Sequence, residues 1–204
     1  VELRRAWVTA CATAEAVGMT AAALAWTVAD RLDEPAAALS VVVVGGLVEG
    51  LALGALQGRV LARRFDRTLA RRWAVVTTVV ASLGWAAGSA PSVLATSEGA
   101  EQGPPLGLVL LGAGAMGVAL GSVLGAAQSL VLRGRAVRPW RWTLVSALAW
   151  APTMVVVFTG AGVPSSDWPT LAVVATASLT GALAGAVLGV LTQPWLPAPL
   201  VPGL

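Results

Sequence analysis

Of the 204 residues, 57% are hydrophobic and only 11% are charged, against roughly 25% charged in soluble domains. A mean hydropathy of +0.81 leaves too much apolar surface to hide from water, so the natural solvent is lipid. All 13 basic residues are Arg, His is absent and Cys11 is the lone cysteine, which excludes an internal disulfide, a Cys-based metal centre and a Ser/His/Asp triad.

A hydrocarbon core needs about 20 apolar residues per helix, and the chain divides into six such spans. Span 1 covers about 6–29 and ends at Asp30-Arg31-Leu32-Asp33-Glu34-Pro35. Arg4 and Arg5 before an Ala-rich run would also suit a secretory signal. Glu15 in the middle of that run, and the membership of this span in the repeat described below, favour a retained helix. Val8-Thr9-Ala10-Cys11 loosely matches a lipidation box, but the run before it is short and charged. Cys11 therefore reads as a small buried residue near a helix end. Span 2 covers about 37–61 and runs into an Arg-rich stretch; span 3 covers about 73–93. A Ser/Glu/Gly/Pro segment follows to about Pro105, then span 4 at about 106–132. Span 5 covers about 142–161 and is broken by Val163-Pro164-Ser165-Ser166-Asp167. Span 6 covers about 168–192 and closes at Gln193-Pro194.

The charges sort with this division. Arg4 and Arg5, the group Arg59, Arg63, Arg64, Arg67, Arg71 and Arg72, and the group Arg133, Arg135, Arg138 and Arg141 all fall on one side. Only Arg31 falls on the other, so the positive-inside rule makes the Arg-rich side and both termini cytoplasmic. Asp30, Asp33, Glu34, Glu98, Glu101 and Asp167 take the opposite side. Trp7, Trp73, Trp140, Trp142 and Trp195 read as headgroup-level anchors at the Arg-rich ends, with Trp26 and Trp168 at the other ends. Trp85 and Trp150 lie deeper and read as packed between helices. Arg- and Ala-rich usage without Lys suggests a bacterial source, hence an inner-membrane location.

An internal repeat underlies the spans. Gly46, Gly50, Gly54 and Gln57 in span 2 recur 71 residues later as Gly117, Gly121, Gly125 and Gln128 in span 4. Span 6 carries Gly181, Gly185, Gly189 and Gln193, with one extra residue before the Gln. Each odd span opens with an Arg/Trp cluster, at Arg5/Trp7, Arg72/Trp73 and Arg141/Trp142. The predicted fold is all-α: one membrane domain over 1–204, a six-helix bundle of three tandem hairpins at about 1–65, 66–135 and 136–197. The hairpins share one orientation, so their axis runs along the membrane normal. Compact pseudo-three-fold packing with spans 2, 4 and 6 inside is the expected arrangement. Glycine at every fourth position lets helix backbones approach closely. Gln57 and Gln128 share the glycine faces and need polar partners, either across the bundle or in a vestibule at the cytoplasmic mouth. With Leu61-Ala62-Arg63 and Leu130-Val131-Leu132-Arg133 after it, the pattern resembles uncharacterised small bacterial multi-pass membrane proteins with repeated G-x3-G-x2-Q…L-R segments and a following Trp. The resemblance covers most of spans 2 to 5 and implies no activity.

Two carboxylates stand out. Glu15 lies about nine residues into span 1 and Glu49 about eleven into span 2, near mid-membrane at about 1.5 Å per residue. A charge there costs about 3 kcal/mol on insertion scales. Each is expected to be protonated, to face the bundle, or to pair with a cation or with the other carboxylate. The repeat places Leu120 where Glu49 stands, so the costly residue departs from the pattern. The alternative is a neutral acid acting as interhelical glue beside Thr13, Thr20 or Gln57. Arg63, Arg64, Arg67, Arg71 and Arg72 set topology and attract anionic lipid headgroups, at about 1 kcal/mol each. Nucleic acid is not an expected partner, since no soluble domain accompanies the charge. No metal, cofactor or catalytic motif is expected. Transport of a small solute, proton or cation through Glu15 and Glu49 is the leading expectation. A non-enzymatic scaffold, self-associating or joined to a larger membrane complex, is the alternative.

Overall fold

The computed structural model describes residues 1–94, 104–165 and 167–200. The acidic pair Glu98 and Glu101 lies outside the described residues. Six helices follow one another: α1 (Glu2–Ala29), α2 (Pro35–Leu61), α3 (Arg67–Leu94), α4 (Leu106–Leu132), α5 (Arg141–Ala161) and α6 (Thr170–Thr192). All six are long and apolar enough to cross a membrane, and the chain is a multi-pass, all-α membrane protein. Its surface is that of a protein dissolved in lipid. Leu171 is 80% exposed and Leu111 is 74% exposed, while the interior holds Gly, Ala, Trp and polar side chains.

Local signals set the helix ends. Glu34 caps α2 by accepting from the Ala36 and Ala37 amides, at 3.3 and 2.9 Å, ahead of Pro35 in the first turn. Helix α3 begins six residues before the apolar span read from hydropathy, because its first turns carry Arg67, Arg71 and Arg72. Asp66 starts it by accepting from the Leu69 amide at 2.7 Å. That bond, and then the Arg135 guanidinium, hold the Asp66 carboxyl below the usual carboxylate range.

The helices form a closed ring in which each packs on its neighbours in sequence and α6 returns to α1. This differs from the expected inner trio: α2, α4 and α6 are not a central core. The reason lies in the glycine ladders. A methyl group at Gly54 would come within 2.7 Å of the Ala74 carbonyl oxygen on α3. At Gly117 it would come within 2.3 Å of the Trp150 carbonyl oxygen on α5, and at Gly185 within 2.3 Å of the Cys11 carbonyl oxygen on α1. Each ladder thus seats the helix that follows it around the ring, not its hairpin partner. The tightest pairs are α2–α3, α4–α5 and α6–α1, and the sequence hairpin is out of phase with the packing unit by one helix.

Antiparallel alternation puts the start of α1, the α2–α3 and α4–α5 turns and the end of α6 at one end of the bundle. Twelve of the 13 Arg belong to this end. After a 3₁₀ turn at Gln193–Trp195 the chain crosses the same end and pairs with the α4–α5 turn. The Val137 amide donates to Ala198 and the Leu200 amide to Arg135, each at 2.9 Å.

Candidate functional site

At the Arg-rich end the three repeats converge. Trp7, Trp73 and Trp142 are buried, with ring centroids 5.5 to 6.4 Å apart in edge-to-face contact. Their rings turn into the bundle and away from the outer surface that a headgroup anchor would occupy. Each indole N–H instead needs an acceptor inside the bundle. Trp73 donates to Gln57 Oε1 at 3.0 Å and Trp142 to Gln128 Oε1 at 2.7 Å. Trp7 donates to Thr192 Oγ1 at 2.8 Å. The Gln amides then donate backward around the ring, from Gln57 Nε2 to Cys11 Sγ at 3.4 Å and from Gln128 Nε2 to Thr77 Oγ1 at 2.9 Å.

Thr192, not Gln193, is therefore the third counterpart of Gln57 and Gln128. It follows Gly189 by three residues, as each Gln follows its last ladder glycine. Its short hydroxyl donates to its own helix at Leu188 O, 2.6 Å away. Gln57 and Gln128 belong to this polar core; neither lines the large cavity of the protein.

That cavity occupies the other half of the bundle, with a volume of about 990 Å³. Glu15, Glu49, Leu53 and Leu124 line it deep in the bundle, and Asp30, Arg31, Pro164 and Trp168 line it at the opposite turns. Both candidate carboxylates thus face one space. They lie close enough to interact electrostatically. Glu49 is 8% exposed and its Oε2 accepts from Trp85 Nε1 at 3.0 Å. Glu15 is 1% exposed, and its Oε1 is buried with no hydrogen-bond partner.

The neighbours expected as glue do not serve Glu15. Thr20 Oγ1 donates to Ala16 O at 2.7 Å, and Gln57 is occupied by Trp73 and Cys11. Backbone shape makes room for the pair. A methyl at Gly18 would lie 2.3 Å from Glu49 Cγ, and one at Gly46 would lie 2.2 Å from the Trp85 ring. Gly46 therefore seats an indole, whereas Gly50 and Gly54 seat the α3 backbone. Gly181 carries the α6 backbone against the Glu15 carbonyl.

Sequence reasoning missed Gly18 and the role of Trp85. The signal was a Trp far from either membrane face, twelve residues after Trp73 where the other repeats carry Met19 and Met154. Gly121, Gly125 and Gly189 are buried against α5 and α1, as their ladder positions require. Arg63, Arg64, Arg67, Arg71 and Arg72 are exposed at the Arg-rich end, where Arg64 reaches the Pro197 carbonyl at 3.5 Å. Among the described residues, no group of three or more acidic or cysteine side chains could hold a metal ion. No family model, curated protein or solved structure matches the chain.

Proposed function

We propose that the protein carries a small solute, proton or cation across the membrane, with Glu15 and Glu49 as the midplane site. The carrying observation is the buried, unpartnered Glu15 oxygen beside a second carboxylate in a cavity that extends to the turns opposite the Arg-rich end. A polar atom left without a partner costs about 1–3 kcal/mol, and intramembrane acids retained at such cost mark ion and substrate paths. The reading assigns no catalytic role. It places the Arg-rich end and both termini in the cytoplasm on the charge bias, and the protein in a bacterial inner membrane on its Arg- and Ala-rich, Lys-free composition; reporter fusions at the α1–α2 turn should report the outside. The exposed arginines are read as contacts for anionic lipid headgroups.

The test is flux in proteoliposomes holding a pH-sensitive dye and a proton gradient, challenged with Na⁺, K⁺ or tetraethylammonium. At least one cation should dissipate the gradient faster than in empty liposomes. Glu15→Gln and Glu49→Gln should slow that step at least tenfold. Equal rates in empty liposomes, or in the Gln variants, would sink the carboxylate mechanism. The scaffold reading draws on the tightly seated ladders of α2, α4 and α6, and would then be favoured by a membrane partner or a second copy that co-purifies in fixed ratio.

A further inference from the structure

The cavity has a chemistry of its own. Among the described residues, Glu15, Glu49, Asp30 and Arg31 are the charged side chains that line it. Arg31 sits at the turn between α1 and α2, sixteen residues beyond Glu15 along the chain. The two deep carboxyl groups thus have no protein cation at their level. Most of the wall is apolar: Met19, Leu53, Leu120, Leu124, Met154 and Phe158. Four indoles, Trp26, Trp85, Trp150 and Trp168, are spaced along it.

Each candidate ligand class meets this wall differently. An anion would face two carboxyl groups. A sugar or other polar neutral would lose its water to walls that offer few polar partners. A bare metal ion wants about six oxygens, and among the described residues no group of three or more acidic or cysteine side chains could hold one. A body that is apolar and singly positive fits each part. Its carbon surface meets Leu, Met and Phe, its charge meets the acids, and aromatic faces stabilise a cation on the way in. The described turns at that end carry Asp30, Asp33, Glu34 and Asp167 against Arg31, which favours cation entry.

We propose that the cavity binds a lipophilic organic cation, an amine or quaternary onium on an apolar body, with its charge at Glu15 and Glu49. This names the substrate class for the transport reading above and rests on that assignment of the site. The unpartnered Glu15 Oε1 receives the charged head, and Trp85 keeps Glu49 Oε2 oriented toward the same space. The apolar cavity selects for size and the acids select for sign.

The test uses the purified full chain and two probes of the same shape and opposite charge, tetraphenylphosphonium and tetraphenylborate, with benzyltrimethylammonium as a smaller cation. Equilibrium binding of labelled probe should be saturable at one per chain for at least one of the cations. The borate should show no saturable site. Glu15→Gln and Glu49→Gln should each weaken cation binding at least tenfold, and an excess of NaCl over the cation should not displace it. Size-exclusion chromatography of the variants separates lost binding from lost fold. The phosphonium–borate comparison needs no variant at all. Equal binding of both signs, unchanged binding in well-folded Gln variants, or no saturable binding of either cation overturns the proposal. Flux of Na⁺, K⁺ or protons without organic-cation binding would defeat this inference alone. Cation binding without any flux would leave it standing and defeat transport.

Discussion

The two halves of the bundle are built by opposite rules. At the Arg-rich end each repeat contributes the same parts, a Trp, an acceptor three residues past a ladder glycine, and a small side chain one turn after the Trp. Cys11, Thr77 and Ser146 fill that last position, and all three are buried. In the other half equivalent positions diverge: Glu15 stands where α3 has Ala81 and α5 has Trp150, and Glu49 where α4 has Leu120 and α6 has Ala184. Repetition yields a sealed, satisfied plug. Departure from repetition yields a cavity with an unsatisfied acid. The lesson is that pseudo-symmetry in this protein secures the structure, and its breakage marks the site proposed for transport.

The largest expected effect tests the ladders on which the plug depends. Gly185→Leu would drive a branched side chain into the α1 backbone, where even a methyl carbon would lie 2.3 Å from the Cys11 carbonyl oxygen and 2.7 Å from Ala12 Cα. The ring should open there, with loss of monodisperse protein in detergent. A methyl carbon at Gly112 meets nothing within 4 Å and the position is exposed, so Gly112→Leu should be recovered intact. Equal behaviour of the two would show that the ladders do not hold the ring.

A middle-sized effect comes from the plug itself. Gln128→Leu strips partners from both the Trp142 indole and the Thr77 hydroxyl, which should cost about 1–3 kcal/mol for each group left unpaired. Gln57→Leu should cost less, because one of its two bonds goes to the weak acceptor Cys11 Sγ. Thermal unfolding in detergent ranks the pair, and the reverse order would show that the Thr77 and Cys11 contacts do not set the difference.

The smallest effect has the opposite sign. Glu15→Leu removes a buried oxygen that has no partner, so melting temperature should hold or rise by a few degrees. The flux and cation binding proposed for this site should disappear in the same variant. A clear loss of stability would mean that Glu15 belongs with the structural half after all.

Much of this was legible in the sequence. Six apolar runs and a one-sided distribution of Arg specify six crossings, because lipid admits few other solutions for the backbone. The acids could be singled out because a carboxylate at that depth is costly whatever surrounds it. What the ladders touch was not legible. A glycine stripe says that something comes close, without saying which helix. An inner trio of α2, α4 and α6 was the expectation, and the following helix around the ring is the answer. The inward turn of Trp7, Trp73 and Trp142 was hidden for a related reason. Trp near a helix end suits a headgroup anchor, and only its recurrence at one repeat position hinted at a shared interior role. Thr192 escaped because the neighbouring Gln193 matched the motif by residue type while Thr192 matched it by position.

The bond from Trp7 to Thr192 joins residues 185 apart in sequence. That separation sets an order of assembly. Chains are made from the N-terminus, and contacts distant in sequence wait for the later partner. Helix α1 enters the bilayer with the backbone strip at the Cys11 and Glu15 carbonyls uncovered, and it stays so until α6 brings Gly185 and Gly181 against it. Trp73 and Trp142 can meet their acceptors once α3 and α5 are in place, but the third indole cannot. A five-helix intermediate would therefore leave this strip of α1 backbone open to lipid, and closure of the ring removes it.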